Sequence, residues 1–166
     1  MRCNLKFKNF IDLSDSEKEF VLKWRNSEKI AKFMKNSNIG FDEHLKFIQN
    51  LKNDSTKKYF LVYDGNEPIG VIDFINITLT SCEFGLYGIK KGVGNLLMEE
   101  IKKYAFNVLK VKTLKACVFK ENLKALNLYL KNGFLIQSED DKFFFVSLNS
   151  NVGGYNLDLI YLKVAI

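Results

Sequence analysis

The spacing of apolar residues changes several times along this chain, and each change predicts an element. The segment Thr113–Phe119 (TLKACVF) alternates apolar and polar positions, as a strand does. After it, Leu123, Leu126 and Leu130 recur at spacings of three and four and predict a helix with one apolar face. Asn122 stands where an N-cap side chain would satisfy an orphan amide, and Gly133 where a left-handed C-cap is usual. Phe134 then enters another strand, and a last strand lies near 143–148. Upstream, Ser81–Ile89 reads as a strand running into a short loop, and a helix starts near Val93. Leu96, Leu97, Ile101, Tyr104 and Ala105 form its apolar face. The N-terminal half predicts a strand over Leu5–Leu13. Ser14 with Glu17 three residues on makes a capping box for a helix through Phe20, Val21 and Trp24. A short helix follows over Ile30–Met34, then a helix opened by Asp42 that carries Leu45, Ile48 and Leu51 on one face. Tyr59–Tyr63 and Pro68–Ile77 read as paired strands joined at Asp64-Gly65-Asn66, a hairpin signal.

Composition narrows the classes. The chain has 166 residues, 47% of them hydrophobic, enough for one compact core. No repeat or linker divides it, so residues 1–148 are expected to form one domain, with 149–166 as a C-terminal extension that could add a strand. No segment is long and apolar enough to span a membrane, and the charged start MRCNLKFKNF lacks the apolar run of a secretory signal. Cys3, Cys82 and Cys117 show no CxxC or Cys/His spacing, which argues against a disulfide framework or a zinc site. A reduced cytoplasmic protein without a metal is the expectation. The formal net charge is +6, yet the lysines are dispersed and form no arginine-rich stripe. A solvated lysine surface therefore accounts for the charge better than nucleic-acid binding, while its field favours anionic ligands.

Two motifs carry chemistry. Asn122, Ala125, Tyr129, Gly133 and Phe134 stand at the spacings of the GCN5-related N-acetyltransferases, the GNAT superfamily, and this stretch of the chain resembles them. Upstream, Gly92-Val93-Gly94 opens a helix, where glycines let the backbone approach an anion and helix amides face it. It resembles the family's cofactor signature, with Ile89 replacing the usual Gln or Arg. The resemblance implies an α/β (α+β) fold: a mostly antiparallel mixed sheet of about seven strands flanked by helices, its central pair splayed. It implies acetyl-CoA as cosubstrate, with the pyrophosphate on Gly92, Val93, Gly94 and Asn95. Leu86, Tyr87, Gly88 and Ile89 would line the pantetheine slot where that strand splays from Lys115–Phe119, with Asn122 nearby. Tyr129 would be the general acid for the CoA thiolate, since a phenol is normally protonated at neutral pH. Two glycines, Gly85 and Gly88, would weaken a strand without a reason, and close approach of a ligand is one.

The segments KWRNSEKIAKFM, FDEHLKFIQNL, KKYFLVYDGNEPIGVIDFINIT and CEFGLYGI are similar to the flagellin-modifying acetyltransferases of pseudaminic acid biosynthesis. Those enzymes acetylate the 4-amino group of UDP-4-amino-4,6-dideoxy-N-acetyl-β-L-altrosamine. On this reading the partners are a UDP-linked amino sugar and acetyl-CoA, not nucleic acid or a membrane, and a homodimer is possible. Arg25, whose guanidinium fork suits phosphate oxygens, is the candidate for the diphosphate, and His44, the one histidine, for the nucleotide. Asp73 and Glu83 are carboxylates within strands, where acidic residues are disfavoured. Asp73 is the favoured base or amine anchor, and Tyr87 would stack on or hydrogen-bond the acceptor. Nothing near Cys117 would activate a thiol, so direct transfer is expected over an acyl-enzyme. The competing readings are an N-terminal or ribosomal-protein acetyltransferase and a non-catalytic CoA-binding sensor.

Overall fold

The computed structural model of the protein describes residues 5–36 and 38–150; Cys3 and the extension beyond Ser150 lie outside them. Among the described residues seven strands form one open mixed sheet: β1 (Leu5–Asn9), β2 (Lys58–Asp64), β3 (Glu67–Ile75), β4 (Ser81–Gly88), β5 (Thr113–Phe119), β6 (Leu135–Glu139) and β7 (Phe143–Asn149). Their order is β1-β2-β3-β4-β5-β7-β6. The helices are α1 (Asp15–Arg25), α2 (Glu28–Ala31), α3 (Phe41–Leu51), α4 (Gly94–Lys103) and α5 (Leu123–Lys131). Two compact units share β4 and α4. The first takes the chain up to residue 75 with 85–97, the second 76–84 and 98 onward.

In the first unit, β1 is shorter than its apolar pattern predicts. Asn9 accepts from the Ile11 amide at 3.2 Å and turns the chain into one 3-10 turn over Phe10–Asp12. That turn sends Phe10 and Leu13 inward, 2% and 5% exposed. The capping box at Ser14 and Glu17 is present on both sides. The short helix α2 sits two residues earlier than predicted, because Ser27 opens it. α3 buries His44, Ile48 and Leu51, which share one face at spacings of four and three. Val21 of α1 with Ile48 and Leu51 of α3 packs on Leu61 of β2 and Val71 of β3, with Phe47, Tyr59 and Tyr87 around them. Each such side chain removed from water is worth about 2 kcal/mol.

The hairpin between β2 and β3 is not regular. Tyr63 pairs with Pro68 but Val62 with Gly70, so Ile69 is an extra residue. The bulge turns the Ile69 carbonyl to accept from the Ile89 and Lys90 amides at 2.8 and 3.2 Å.

In the second unit, β4 and β5 run parallel and pair over Ser81–Glu83 and Thr113–Lys115. β5 continues to Phe119 in antiparallel register with β7. Leu114, Ala116 and Val118 point one way and are buried, as the alternation predicts. On α5 the buried residues are Leu126 and Tyr129, while Leu123 and Leu130 are 62% and 41% exposed. The apolar face read from three leucines is thus rotated, because Tyr129 occupies the inward position. Lys102, 1% exposed, donates to the Asn132 carbonyl at 3.1 Å at the end of α5.

Candidate active site

The first unit gathers most of the predicted acceptor residues. Asp73 of β3 is the Cα partner of Tyr59 of β2. Its carboxylate lies against Gly85 of β4, where an added Cβ would stand 2.5 Å from Oδ2. The residue is half-buried, with protein atoms crowded around its carboxylate. Burial alone raises Asp73 to about 7. Tyr87 and Tyr59 lie within electrostatic reach of both Asp73 and Arg25. Burial first, then the Asp73 charge, raises both phenols, so they stay protonated hydrogen-bond donors. Tyr59 was not singled out in the sequence. Its ring is fixed edge-on against Phe47 at 5.0 Å and tilted on Phe10 at 5.5 Å.

Arg25 closes α1 and has a structural partner: Nη2 donates to the Asn36 carbonyl at 2.5 Å. The Asn26 side chain clasps Ile39, donating to its carbonyl at 2.7 Å and accepting from its amide at 3.0 Å. Together they fasten the segment before α3. Burial lowers the Arg25 pKa, with Tyr87, Glu43 and Tyr59 opposing it. His44 is not on the surface but buried, 5% exposed. Its Nε2 pairs with the Lys18 carbonyl at 3.1 Å and ties α3 to α1. Burial and the nearby Arg25 and Lys18 charges lower its pKa, outweighing that hydrogen bond, so the ring is neutral at physiological pH and Nε2 donates.

The glycine loop belongs to the same unit. Gly88 ends β4 where a Cβ would meet Val93 at 2.9 Å. The Ile89 amide is engaged by Ile69, as described above. Gly92 has φ 84, a left-handed conformation that glycine adopts freely. Gly94 does not; it is the first residue of α4, not Val93. The Leu97 amide donates to the Val93 carbonyl at 3.0 Å at the start of this helix. Helix geometry points the first amides of an α-helix toward its N-terminal end, where an anion can meet them. Lys90 pairs with Glu67 at 2.9 Å on the surface.

The second unit holds the remaining residues. Tyr129 is buried, its ring edge-on to Phe84 at 5.2 Å and 6.0 Å from Phe134. Asn122 caps α5 by accepting from the Ala125 amide at 3.2 Å, and Gly133 follows the helix at φ 91. Glu83 is the Cα partner of Lys115 and accepts from the Asn76 side chain. Burial raises the Cys82 thiol to about 12, with Glu83 adding to it, so it is a packing residue rather than a nucleophile. Among the described residues no group of three or more His, Cys, Asp or Glu side chains could hold a metal ion, and no helix is long and apolar enough to cross a membrane.

An open sheet whose fourth strand runs through a glycine turn into a helix, followed by a strand and an Asn-capped helix carrying Tyr129, defines an acetyltransferase fold. The model of the acetyltransferase (GNAT) family matches residues 19–134, and the chain belongs to that family. It is an N-acetyltransferase. Among its relatives is the acetyltransferase PseH of Campylobacter jejuni subsp. jejuni serotype O:2, 57% identical over 149 residues, which cover 89% of this chain and 95% of that protein. The crystal structure of C. jejuni N-acetyltransferase PseH in complex with acetyl coenzyme A superimposes with TM-score 0.78 at 52% identity, covering 89% of this chain and 99% of that one. A spermidine N-acetyltransferase of Vibrio cholerae in complex with CoA and spermine gives TM-score 0.79 at 21% identity, over 89% of this chain and 96% of that one, and shares the fold.

Proposed function

We propose that this enzyme transfers the acetyl group of acetyl-CoA to the 4-amino group of UDP-4-amino-4,6-dideoxy-N-acetyl-β-L-altrosamine, in pseudaminic acid biosynthesis for flagellin glycosylation in the cytoplasm. The observation that carries the reading is the Asp73 cluster, in a chain sharing 57% of its aligned residues with PseH. Asp73 offers one carboxylate for one amine, and Arg25 nearby offers a cation for a diphosphate. A polyamine acceptor would instead call for several carboxylates and no arginine.

The chemistry assigns each residue one task. An ammonium cannot attack, so Asp73 takes its N–H proton, directly or through one water; a group titrating at about 7 is suited to this at neutral pH. The free amine then bonds to the thioester carbon, backbone amides stabilise the oxyanion, and the C–S bond breaks. The Tyr129 phenol gives its proton to the departing sulfur, and the nitrogen sheds its second N–H proton as the amide forms, which returns the phenol to its neutral state directly or through water. Leu86 to Ile89 hold the pantetheine arm, Gly92 to Asn95 hold the pyrophosphate, and Asn122 supports the cofactor from the start of α5. On the acceptor, Tyr87 donates a hydrogen bond to the sugar and Arg25 meets the diphosphate, while the buried His44 holds α3 to α1 behind them instead of reaching the nucleotide. Glu83 serves as the secondary carboxylate. Transfer is direct, without an acetyl-cysteine.

Thiol release from acetyl-CoA, measured with the UDP-amino sugar, spermidine and N-terminal peptides, tests the reading. Turnover is expected with the nucleotide sugar. Turnover with a peptide or polyamine, and none with the sugar, would overturn it. Arg25→Ala is expected to raise the KM for the UDP-sugar about tenfold or more, the loss of one charge-assisted pair.

A further inference from the structure

Three residues form a row across β2, β3 and β4: Tyr59, Asp73 and Gly85. Tyr59 and Asp73 are register partners. On the other side, a Cβ built on Gly85 would lie 2.5 Å from Oδ2 of Asp73, 3.1 Å from Cγ and 3.2 Å from Oδ1. The carboxylate, Oδ2 foremost, thus occupies the space that a side chain at 85 would fill. It has little room to yield toward β2, where the Tyr59 ring is wedged by Phe10 and Phe47.

We propose that Gly85 is a positioning residue for acetyl transfer: the space left by its missing side chain is the seat that keeps the Asp73 carboxylate low on the sheet, where an incoming amine meets it. The proposal rests on Asp73 as the proton acceptor, as assigned above. It gives the glycine in the middle of β4 a reason other than approach of the cofactor. A side chain at 85 would lift the carboxylate toward water and lower its pKa. The other ionisable groups facing the carboxylate are the Tyr59 phenol from β2 and the Tyr87 phenol from β4; the Arg25 guanidinium of α1 and, beyond it, Glu43 of α3 act on those phenols rather than on the carboxylate. None of these is moved by the substitution itself.

The test is the pH profile of kcat/KM for the amine acceptor in wild type, Gly85→Ala, Asp73→Asn and the double variant, with acetyl-CoA affinity measured by calorimetry. Gly85→Ala is expected to lose about tenfold or more in kcat/KM and to move its acid limb to lower pH, at unchanged acetyl-CoA affinity. In the Asp73→Asn background it is expected to cost nothing further. A wild-type profile in Gly85→Ala, weakened acetyl-CoA binding that accounts for the loss, or an equal loss in the Asn background would each overturn the seat. Wild-type rate and profile in Asp73→Asn would instead remove the base assignment on which it rests. If Gly85→Ala does not fold, Gly85→Ala with Asp73→Ala decides the matter. Recovered folding identifies the carboxylate as the clashing group and supports the seat, whereas continued failure overturns it.

Discussion

Asp73 couples the acceptor chemistry to stability. Its pKa is raised to about 7, so the folded protein binds a proton that the unfolded chain has already lost between about 4 and 7. Stability therefore falls as pH rises through that window and levels off above it. Asp73→Asn is expected to abolish this fall and to make the protein more stable than wild type at pH 8, while turnover drops; urea unfolding at pH 5 and pH 8 measures the first part. A functional carboxylate held at a cost in stability is a common trade. Tyr129, the proposed general acid, is buried with its ring against Phe84 and Phe134. Tyr129→Phe keeps those ring contacts and removes only the hydroxyl. Its kcat is expected to fall by about 10²–10⁴, the range of general acid catalysis, with acetyl-CoA affinity unchanged in a direct titration.

At the scale of elements, the start of α1 and the start of α4 are built for different purposes. At α1, burial pushes Glu17 up, but hydrogen bonds from Lys8 at 2.6 Å, Tyr63 at 2.5 Å and Ser14 at 2.9 Å together hold it at about 2. This carboxylate fastens α1 to β1 and β2. Its contribution is present above the unfolded value near 4.5 and is lost as pH falls toward 2. Glu17→Gln is expected to cost on the order of 1–2 kcal/mol at pH 7 after allowing for solvent screening, and nothing at pH 2, as read by thermal unfolding. At the α4 start, a left-handed Gly92 stands two residues before the first helical residue, Gly94. Gly92→Val forces a β-branched residue into that conformation and is expected to weaken acetyl-CoA binding about tenfold or more in calorimetry. Lys90→Ala removes an exposed ion pair with Glu67 and is expected to change affinity less than threefold.

For the whole molecule, the sequence determined what is local. The capping box at Ser14, the Asn122 cap, the Gly133 terminus and the alternation of β5 are set by residues a few positions apart, and each stands as the pattern predicts. The spacing from Asn122 to Tyr129 likewise puts the family's tyrosine on a helix face without any knowledge of the sheet. What depended on register or on distant neighbours was not legible. Counting back from the Gly65-Asn66 turn would oppose Tyr59 to Ile72; the bulge at Ile69 moves its partner to Asp73. Because strand faces alternate, that one inserted residue decides which side chains share the Asp73 face. Gly85 reads in the sequence as room for a ligand, whereas in the fold the Asp73 carboxylate lies beside it. His44 reads in the sequence as a contact for the nucleotide, yet α1 covers it and its ring bonds the Lys18 carbonyl. Lys102 is buried because its ammonium reaches the last turn of a helix thirty residues away in sequence. Local periodicity fixes elements and caps, whereas the environment of a titrating group is made by strands and helices far apart in the chain, so only the tertiary structure decided which carboxylate is desolvated and what it faces.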